Sequence, residues 1–586
     1  MDDQRRFILA MVLSGLVFFA YYFFYVMPTQ EAARADAQLE LERAQAEAQA
    51  ALPEAPVVQP RETLVAAGTR IRIDAPGIRG SLLTTGSQLD DVTLNGYNKT
   101  LDPEDGKFEL LSPAGGERAA LLADNWVLPG QTGDVFGLGT DWRVVSGDVL
   151  TPETPVVLQT QVAGVDVVRT ITVDDHFLIT ATDTLTNRGA QPVTLVRRGL
   201  SRQTGLPDGL TNFFIIQEGP IRVLDDSYYD RKYKQVIKES RTESGEAGWT
   251  GLTDKYWLQA AIAPQGGRIT VDFDHQLVNG ADTWDASYAT DAMTLTPGAT
   301  VQSVGHLFAG AKDRDVLLEY QEERGITGMT RAIDWGAMGL LVRPIMWLLS
   351  KLGELIGNFG LAIIALTVII KLLMFPLFNK QYKSQAKMKK VMPEVKKLQE
   401  RFKDDRMKMQ QEMMALYRKE GVNPAAGCLP IIPTIFVFFA LYKAVFIDID
   451  LRHEPFLGYI QDLSAREPVS ILNAFGLLPW GADPLGIPFL ALGPLAILYG
   501  LSMSLMYTLT PPAGDPMQAK IFKFMPWLFM FILAAFPAGL LVYWVSNNVL
   551  SFLQQWYITR KNNVDTPVDA FLRKITGRGG PVDAAE

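Results

Sequence analysis

The chain has 586 residues, of which 48% are hydrophobic, with a mean hydropathy of +0.08 and a formal net charge of −9 at pH 7. This composition is too apolar for a typical soluble protein of several domains. The only cysteine is Cys428, which excludes an intramolecular disulfide, and the four histidines lie outside the long apolar runs, which argues against a metal site inside a membrane. We expect a membrane protein with a large polar insert and predict no metal or other cofactor.

The first element is an uncharged apolar stretch at 7–27. At a helical rise of about 1.5 Å per residue it spans roughly 30 Å, enough to cross a bilayer once. A cleavable signal peptide is the alternative, but five consecutive aromatic residues stand where a small-residue cleavage site is expected. We predict that residues 1–28 form an uncleaved transmembrane anchor, with Arg5 and Arg6 in the cytoplasm.

A linker and a β domain follow the anchor. Residues 29–60 are rich in Ala, Glu and Gln and end with three prolines, a composition typical of a spacer. Residues 61–328 then alternate polar and apolar positions in short runs, such as those at 70–73 and 167–173, with regular Gly, Asn, Asp and Pro between them. This pattern predicts an all-β sandwich domain on the far side of the membrane.

The rest of the chain is predicted to be helical. Residues 335–351 are apolar but contain Arg343 and Pro344, which favours an amphipathic helix lying in the membrane interface, and we assign residues 329–354 to it. We interpret residues 355–560 as a core with five transmembrane helices, which makes six in a polytopic α-helical membrane protein. The predicted crossings are 358–378, 427–447, 486–509, 522–536 and 539–558, with an apolar segment at 471–480 that is re-entrant or surface-lying.

Charge fixes the predicted orientation. Residues 379–424 carry thirteen Lys and Arg against six Asp and Glu, a net charge of +7 in a chain of −9. By the positive-inside rule this segment, the N-terminus and the tail at 561–586 are cytoplasmic.

Lys371 is the main candidate functional residue, because a lysine near the middle of a membrane helix costs roughly 2.5 to 3.5 kcal/mol and normally faces protein or water. Thr367 is one turn earlier on the same face. Two alternatives remain: Lys371 snorkels to the cytoplasmic surface, or it lines a hydrated cavity that opens to the cytoplasm.

Other polar residues in the predicted crossings either line such a cavity or join helices by hydrogen bonds. No carboxylate lies inside a crossing after residue 358, which favours a wet groove over a proton relay. These polar residues are Thr434, Ser502, Ser504, Asn547, Gln554 and Gln555.

The segment at 379–424 is predicted to be a helical hairpin, with Pro393 between its two arms. Its methionines offer a flexible apolar surface for varied partners. Its positive charge reflects either topology and contact with anionic lipids, or docking to ribosomal RNA or a nascent chain. The methionines are Met388, Met392, Met407, Met409, Met413 and Met414, and the lysines expected to face the ribosome or nascent chain are Lys383, Lys387, Lys389, Lys390, Lys396 and Lys397.

Four long motifs resemble the YidC branch of the YidC/Oxa/Alb insertase family, and the resemblance extends over the whole layout of anchor, β domain, interfacial helix and five-span core. The motifs are KSQAKMKKVMPE at 383–394, QEMMALYRKEGVNPAAGCLP at 411–430, DPMQAKIFKFMP at 515–526 and FPAGLLVYWVSNN at 536–548.

The resemblance implies a bacterial inner-membrane protein with a periplasmic β-super-sandwich and a hydrophilic groove that holds one positive charge. Lys371 stands where bacterial members usually have arginine, which keeps the charge but loses the bidentate fork. Thr434 falls where relatives often have glutamine, and Tyr543 and Trp544 fall on an aromatic pair that contacts substrate. Asn547 belongs to the same motif. The implied partners are nascent membrane proteins, the ribosome, the Sec translocon and anionic lipids, with no DNA.

We therefore predict a membrane protein insertase and chaperone, acting alone or with the Sec translocon, and not an enzyme. The chain has no GxxxxGK[ST] phosphate loop to bind a nucleotide. Two alternatives are a transporter for a small anion, with Lys371 as the binding cation, and a membrane serine protease that pairs Lys371 with Ser502 or Ser504.

Overall fold

The computed structural model describes residues 59–116, 118–207, 209–210, 216–402, 405–421, 431–510, 516–562, 564 and 566–576. The predicted anchor at 1–28 and nearly all of the linker at 29–60 lie outside the described residues. The described chain divides after Gly336 into two compact units, which we call the β unit and the helical unit.

The β unit is an all-β structure, as the alternating pattern predicted. Its described strands are β1 (Arg70–Asp74), β2 (Ile78–Leu83), β3 (Gln88–Asn98), β4 (Lys107–Leu111), β5 (Ala119–Val127), β6 (Arg143–Ser146), β7 (Val149–Leu150), β8 (Val156–Val162), β9 (Val165–Val173), β10 (Leu178–Asn187), β11 (Val193–Thr204), β12 (Gly219–Leu224), β13 (Ser227–Asp230), β14 (Arg241–Glu246), β15 (Gly248–Thr253), β16 (Trp257–Ile262), β17 (Arg268–Val278), β18 (Ala281–Thr290), β19 (Met293–Leu295) and β20 (Thr300–Ala311).

These strands form two sheets in the described part of the chain. The eleven-stranded sheet has the order β14-β17-β18-β11-β5-β3-β2-β1-β7, with β19 paired to β11 and β4 to β3. The nine-stranded sheet has the order β13-β12-β15-β16-β20-β10-β9-β8-β6. Nearly all pairings are antiparallel, and the exception is β1 with β7. Antiparallel pairing suits a sandwich because each sheet buries one face and leaves the other to solvent.

Polar contacts join the two sheets inside the core. The indole Nε1 of Trp126 on β5 donates to the Asp183 carboxylate on β10, at 2.9 Å. Arg169 on β9 donates to the same carboxylate at 2.7 and 2.8 Å. Arg197 on β11 bonds Asp124 on β5 through its Nε and Nη2. Each buried charge in this network has an opposite charge beside it, which offsets the cost of removing it from water.

Three short helices complete the β unit: α1 (Arg61–Val65), α2 (Tyr233–Val236) and α3 (Arg314–Glu322). Asp313 caps α3 by accepting from the backbone N–H groups of Asp315 and Val316. The Tyr320 hydroxyl donates to Asp174 at 2.6 Å, which fixes α3 beside the turn between β9 and β10.

The helical unit begins with a helix whose buried residues recur at helical spacing on one face. Its described helices are α4 (Gly339–Ile356), α5 (Phe359–Leu373), α6 (Phe375–Arg401), α7 (Arg406–Lys419), α8 (Ile431–Ile447), α9 (Pro494–Leu509), α10 (Pro516–Leu533), α11 (Ala538–Lys561) and α12 (Pro567–Thr576). On α4 the opposite face is also partly apolar and exposed, at Leu340, Trp347 and Leu355. The order of a large β domain followed by a helical region agrees with the predicted fold class.

The segment at 358–378, predicted as one crossing, is bent. Asn358 caps α5 by accepting from the Leu361 N–H at 2.9 Å, and the helix ends at Met374, where the chain turns by 70° into α6. In the described residues no single helix has both the length and the apolar character that a membrane crossing needs. The bent pair α5 and α6 meets both criteria together, and three shorter helices are apolar: Pro433–Ile447, Pro494–Leu509 and Ile521–Leu533.

Pro393 does not separate the arms of the hairpin, contrary to the prediction. It lies inside α6, which continues to Arg401, and α7 begins at Arg406. The helix continues through the proline because Val391 and Val395 are buried against side chains from both arms. Three of the six methionines predicted as a partner surface belong to this cluster, which also includes Leu416 and Tyr417: Met388, Met392 and Met413. Met407 and Met414 are exposed.

α11 is the central helix of this unit and packs against α5, α6, α8 and α9. Its first residues are fixed by backbone bonds, because Ala538 N–H donates to Ala465 O and Gly539 N–H to Leu463 O. Apolar side chains of α9, α10 and α11 form a common core that includes Tyr499, Met530 and Leu541. This packing holds the residues of α11 in place beside α5 and α8.

Candidate functional site

A small cavity, with room for about one water molecule, lies between α5, α8 and α11, with α6 at one side. Five of the six residues predicted for the groove line it: Thr367, Lys371, Thr434, Tyr543 and Asn547. The other lining residues are Ile370, Met374, Phe378 and Val437. The structure therefore brings polar groups from three apolar helices to one place.

Lys371 lies in the last turn of α5, three residues before the bend at Met374. Its Nζ donates to Ser551 Oγ on α11 at 2.7 Å and is 4.4 Å from the centre of the Phe378 ring. The negative face of an aromatic ring attracts a cation. The bend creates this arrangement, because it turns Phe378 on α6 back toward the end of α5.

Ser551 connects the lysine to the backbone of α11. Its hydroxyl accepts from Lys371 and donates to the Asn547 carbonyl at 2.6 Å. It is only 4% exposed. A hydroxyl that is buried and bonded to its own helix is poorly placed to attack a substrate, so the contact resembles a positioning bond more than a nucleophile and its base.

Thr367 and Tyr543 give the cavity its shape. The Thr367 hydroxyl donates to the Ile363 carbonyl one turn earlier at 2.7 Å, so its donor is used within α5. Tyr543 is buried on α11, one turn before Asn547. Thr434 brings a hydroxyl from α8 to the opposite side.

Trp544 is the one predicted groove residue that does not line the cavity. Its ring stacks on Phe438 at 5.4 Å and contacts Tyr499 and Phe536 at 5.8 and 5.9 Å. Adjacent residues of a helix point about 100° apart, so Tyr543 and Trp544 lie on different sides of α11. Trp544 belongs to the packing between α8, α9 and α11.

Of the other polar residues of the predicted crossings, Ser502 and Gln555 join helices. Asn548 donates to Ser502 Oγ at 3.1 Å, and Ser502 donates to the Tyr499 carbonyl. Gln555 donates to Gln385 on α6 at 3.0 Å. Ser504 Oγ and Gln554 Nε2 are buried without a partner among the described residues. Neither Ser502 nor Ser504 contacts Lys371, so the dyad of the protease alternative is not formed.

Sequence reasoning missed three residues. Ser551 follows Asn547 by four residues on the same face of α11, so helical periodicity was a sufficient signal. The contact of Phe378 with Lys371 was not predicted, because it depends on the bend at Met374. Lys443 lies inside the predicted crossing at 427–447 and is 7% exposed, so the rule that selected Lys371 also applies to it.

The hairpin presents a basic surface, which we define as Lys383, Lys387, Lys390, Lys396 and Lys397, all exposed on α6. Lys389 differs from the other predicted lysines because its Nζ is buried. Among the described residues no group of three or more His, Cys, Asp or Glu side chains is placed to hold a metal ion.

Comparison with known proteins agrees with the motifs. Residues 351–565 match the family described as "60Kd inner membrane protein", and residues 70–348 match "YidC periplasmic domain". The membrane protein insertase YidC of Maricaulis maris is 41% identical over 98% of this chain and 99% of its own length. That of Cereibacter sphaeroides strain KD131 is 40% identical over 96% of this chain and 94% of its own.

A similar solved structure is that of an active YidC insertase with its first transmembrane domain resolved, which has a TM-score of 0.35 and 16% identity over 84% of this chain and 96% of its own. The family matches and the relatives at about 40% identity, taken together, extend over nearly the whole sequence. The chain is therefore a membrane protein and belongs to the YidC family of membrane protein insertases.

Proposed function

We propose that this protein inserts hydrophobic segments of other proteins into the bacterial inner membrane and assists their folding, through a hydrophilic groove built around the Lys371 cavity. It does so alone or together with the Sec translocon. The observation that carries the proposal is the position of Lys371, a cation in a cavity between apolar helices whose hydrogen bond goes to a neutral hydroxyl.

The charge of Lys371 is only partly compensated within the described residues. A lysine in the membrane costs roughly 2.5 to 3.5 kcal/mol. The bond to Ser551 and the contact with the Phe378 ring offset part of this cost, and no described carboxylate pairs with the ammonium. An acidic or polar flank of an incoming segment supplies the missing partner, so Lys371 attracts it into the cavity.

The surfaces beside the cavity suit the hydrophobic part of the same segment. Ile435, Phe436 and Phe439 on α8 and Leu372 on α5 are exposed large apolar side chains. A segment whose polar flank is held at Lys371 lies against these side chains and passes into lipid without bond chemistry. Apolar partitioning and the membrane potential drive this step.

The proposed topology has six transmembrane helices, cytoplasmic termini and a periplasmic β unit, with α4 in the membrane interface. The hairpin is then cytoplasmic, where its basic surface contacts the ribosome, the nascent chain or anionic lipids. The β unit contacts the Sec translocon. Exposure of the five lysines of the basic surface supports the first contact.

Site-specific crosslinking to a stalled nascent chain tests the proposal. A photoreactive residue at Thr434 or Asn547, both in the cavity, is expected to crosslink to the first hydrophobic segment of a client protein. The matched control is Leu498, which is exposed on α9 and does not line the cavity. Crosslinks that are equally strong at Leu498, or absent from both cavity positions, contradict the groove.

A further inference from the structure

The loop before α9 has an exposed apolar surface that the proposed function does not use. We define the apolar loop as residues 468–490. It has no charged residue between Glu467 and Asp483. Its exposed large apolar side chains are Ile471, Phe475, Leu477, Leu478, Trp480, Leu485, Ile487 and Leu490. Leu477 is 86% exposed, an unusual position for leucine in water.

Internal hydrogen bonds make this loop rigid. Asn473 is buried, accepts from the backbone N–H groups of Ser470 and Gly476, and donates to the carbonyl of Trp480. Ser470 Oγ donates to the Ala482 carbonyl at 2.6 Å. The loop therefore satisfies many of its own polar groups, which a segment needs before it can leave water.

The backbone turns apolar side chains outward. Ala474 and Phe475 both have left-handed backbone angles, with φ of 50° and 57°. Such conformations are unfavourable for residues other than glycine and persist where the surroundings fix them. Here the bond from Phe475 N–H to the Ser470 carbonyl, at 2.7 Å, helps to hold the turn. The result is an exposed Phe475 ring next to Leu477.

The first end of the apolar loop is fixed to the beginning of α9. The Glu467 carboxylate accepts from the N–H groups of Leu495 and Ala496, at 2.9 and 3.1 Å, and so caps the helix. Ile471 N–H donates to the Leu492 carbonyl at 2.9 Å. α9 is one of the shorter apolar helices of the described chain, so the loop leads directly into an apolar segment.

We propose that the apolar loop inserts into the lipid interface on the side of the membrane where α9 begins. The absence of charge between Glu467 and Asp483, the satisfied polar groups and the continuity with α9 favour lipid over another protein surface. The indole N–H of Trp480 donates to the Leu472 carbonyl, so its ring enters the interface with its donor satisfied. The loop lies in the interface and does not cross it, because its 3₁₀ segment at Ile471–Gly476 is broken by a kink and is far shorter than the roughly 20 residues that a crossing helix needs.

A fluorescent probe tests this placement in the full-length protein. In a Cys428→Ser background, which removes the only native cysteine, Leu477→Cys is labelled with an environment-sensitive fluorophore and reconstituted into vesicles of phosphatidylethanolamine and phosphatidylglycerol. We expect blue-shifted emission, quenching by lipids that carry a spin label near the headgroup, and protection from aqueous iodide. The matched control is Leu277→Cys on β17, 68% exposed, which is expected to be quenched by iodide and not by lipid.

Three results overturn the proposal. Iodide quenching at Leu477 equal to that at Leu277 places the loop in water. Protection from both quenchers at every lipid ratio shows that another part of the protein covers the loop. Protection that is lost when the protein is diluted with lipid shows that a second copy covers it. Leu485→Cys, labelled in the same way, repeats the measurement at a second exposed position if the first label alters the proteolysis pattern of the protein.

Discussion

Arg197 in the β unit and Lys371 in the helical unit are cations with opposite surroundings. In the β unit, Arg197 is fully buried, and its guanidinium bonds Asp124 at 2.6 to 3.0 Å and lies 3.5 Å from Asp183. In the helical unit, Lys371 meets a hydroxyl and an aromatic ring. A cation surrounded by carboxylates is already neutralised and contributes to the scaffold. A cation with neutral partners keeps its attraction for an anionic guest.

The Arg197 network also shows why the β unit has a single arrangement of its sheets. Arg197 belongs to β11 in the larger sheet, and its Nη2 also donates to the Ala181 carbonyl on β10 in the smaller sheet. Sliding one sheet past the other separates these groups and leaves buried charges without partners. The network fixes the register between the two sheets.

The largest expected effect is in the β unit. Arg197→Ala leaves Asp124 buried without its main partner and is expected to lower the free energy of unfolding by about 3 to 5 kcal/mol. The matched control is Arg188→Ala, which breaks an ion pair with Asp166 in which the arginine side chain is 73% exposed and is expected to cost at most about 1 kcal/mol. Denaturant unfolding of the full-length protein, followed by tryptophan fluorescence, measures both. If the two variants lose the same free energy of unfolding, the buried network stabilises the fold no more than a surface ion pair does.

A smaller effect is expected at the cavity. Ser551→Ala removes the hydrogen bond to Lys371, a contact worth about 1.5 kcal/mol, so insertion of a client with an acidic flank is expected to slow roughly tenfold. Ser551→Thr keeps the hydroxyl and is expected to restore the rate. The insertion rate of a client with a neutral flank is measured as well, and Ser551→Ala is expected to slow it less. If Ser551→Ala slows both clients equally, the serine has only a packing role.

The smallest effect concerns His306 in the β unit. Burial, together with the Arg197 charge, lowers the pKa of His306 from 6.5 to about 4. The folded state therefore resists protonation, so this contribution to stability is complete above pH 6.5 and is lost as the pH falls toward 4. Between pH 7 and pH 6 the loss from this group is less than about 1 kcal/mol. Thermal unfolding at both pH values measures it, with His306→Gln as the control. An unchanged pH dependence in the variant contradicts the assignment.

Periodicity and composition were sufficient to predict the larger features. The alternation at 61–328 predicted the β unit. Thr367 was selected because it lies one turn before Lys371 on α5, and both residues line the cavity. Tyr543 was selected from the motif resemblance and not from spacing.

Features that depend on tertiary contacts were not predicted. The bend at Met374 brings Phe378 to Lys371. Pro376, in the first turn of α6, was a local signal for a break in the helix, but it did not indicate which side chains the bend would bring together. Pro393 was expected to end a helix, but packing of Val391 and Val395 between the two arms outweighs the lost hydrogen bond. Trp544 was assigned to the groove from its motif, without regard to the side of α11 on which it lies. Its ring packs against Phe438 instead.

Charge reversal tests the central claim most directly. Lys371→Arg is expected to keep insertion in reconstituted vesicles, because the charge is retained. Lys371→Glu is expected to slow a client with an acidic flank about tenfold or more and to recover when the flank is changed to lysine. Lys380→Glu, at an exposed position of α6, is the matched control. We expect its insertion rate not to depend on whether the client's flank is acidic or basic. Insertion of the acidic client at the normal rate by Lys371→Glu, or equal failure with both flanks, contradicts an electrostatic role for Lys371.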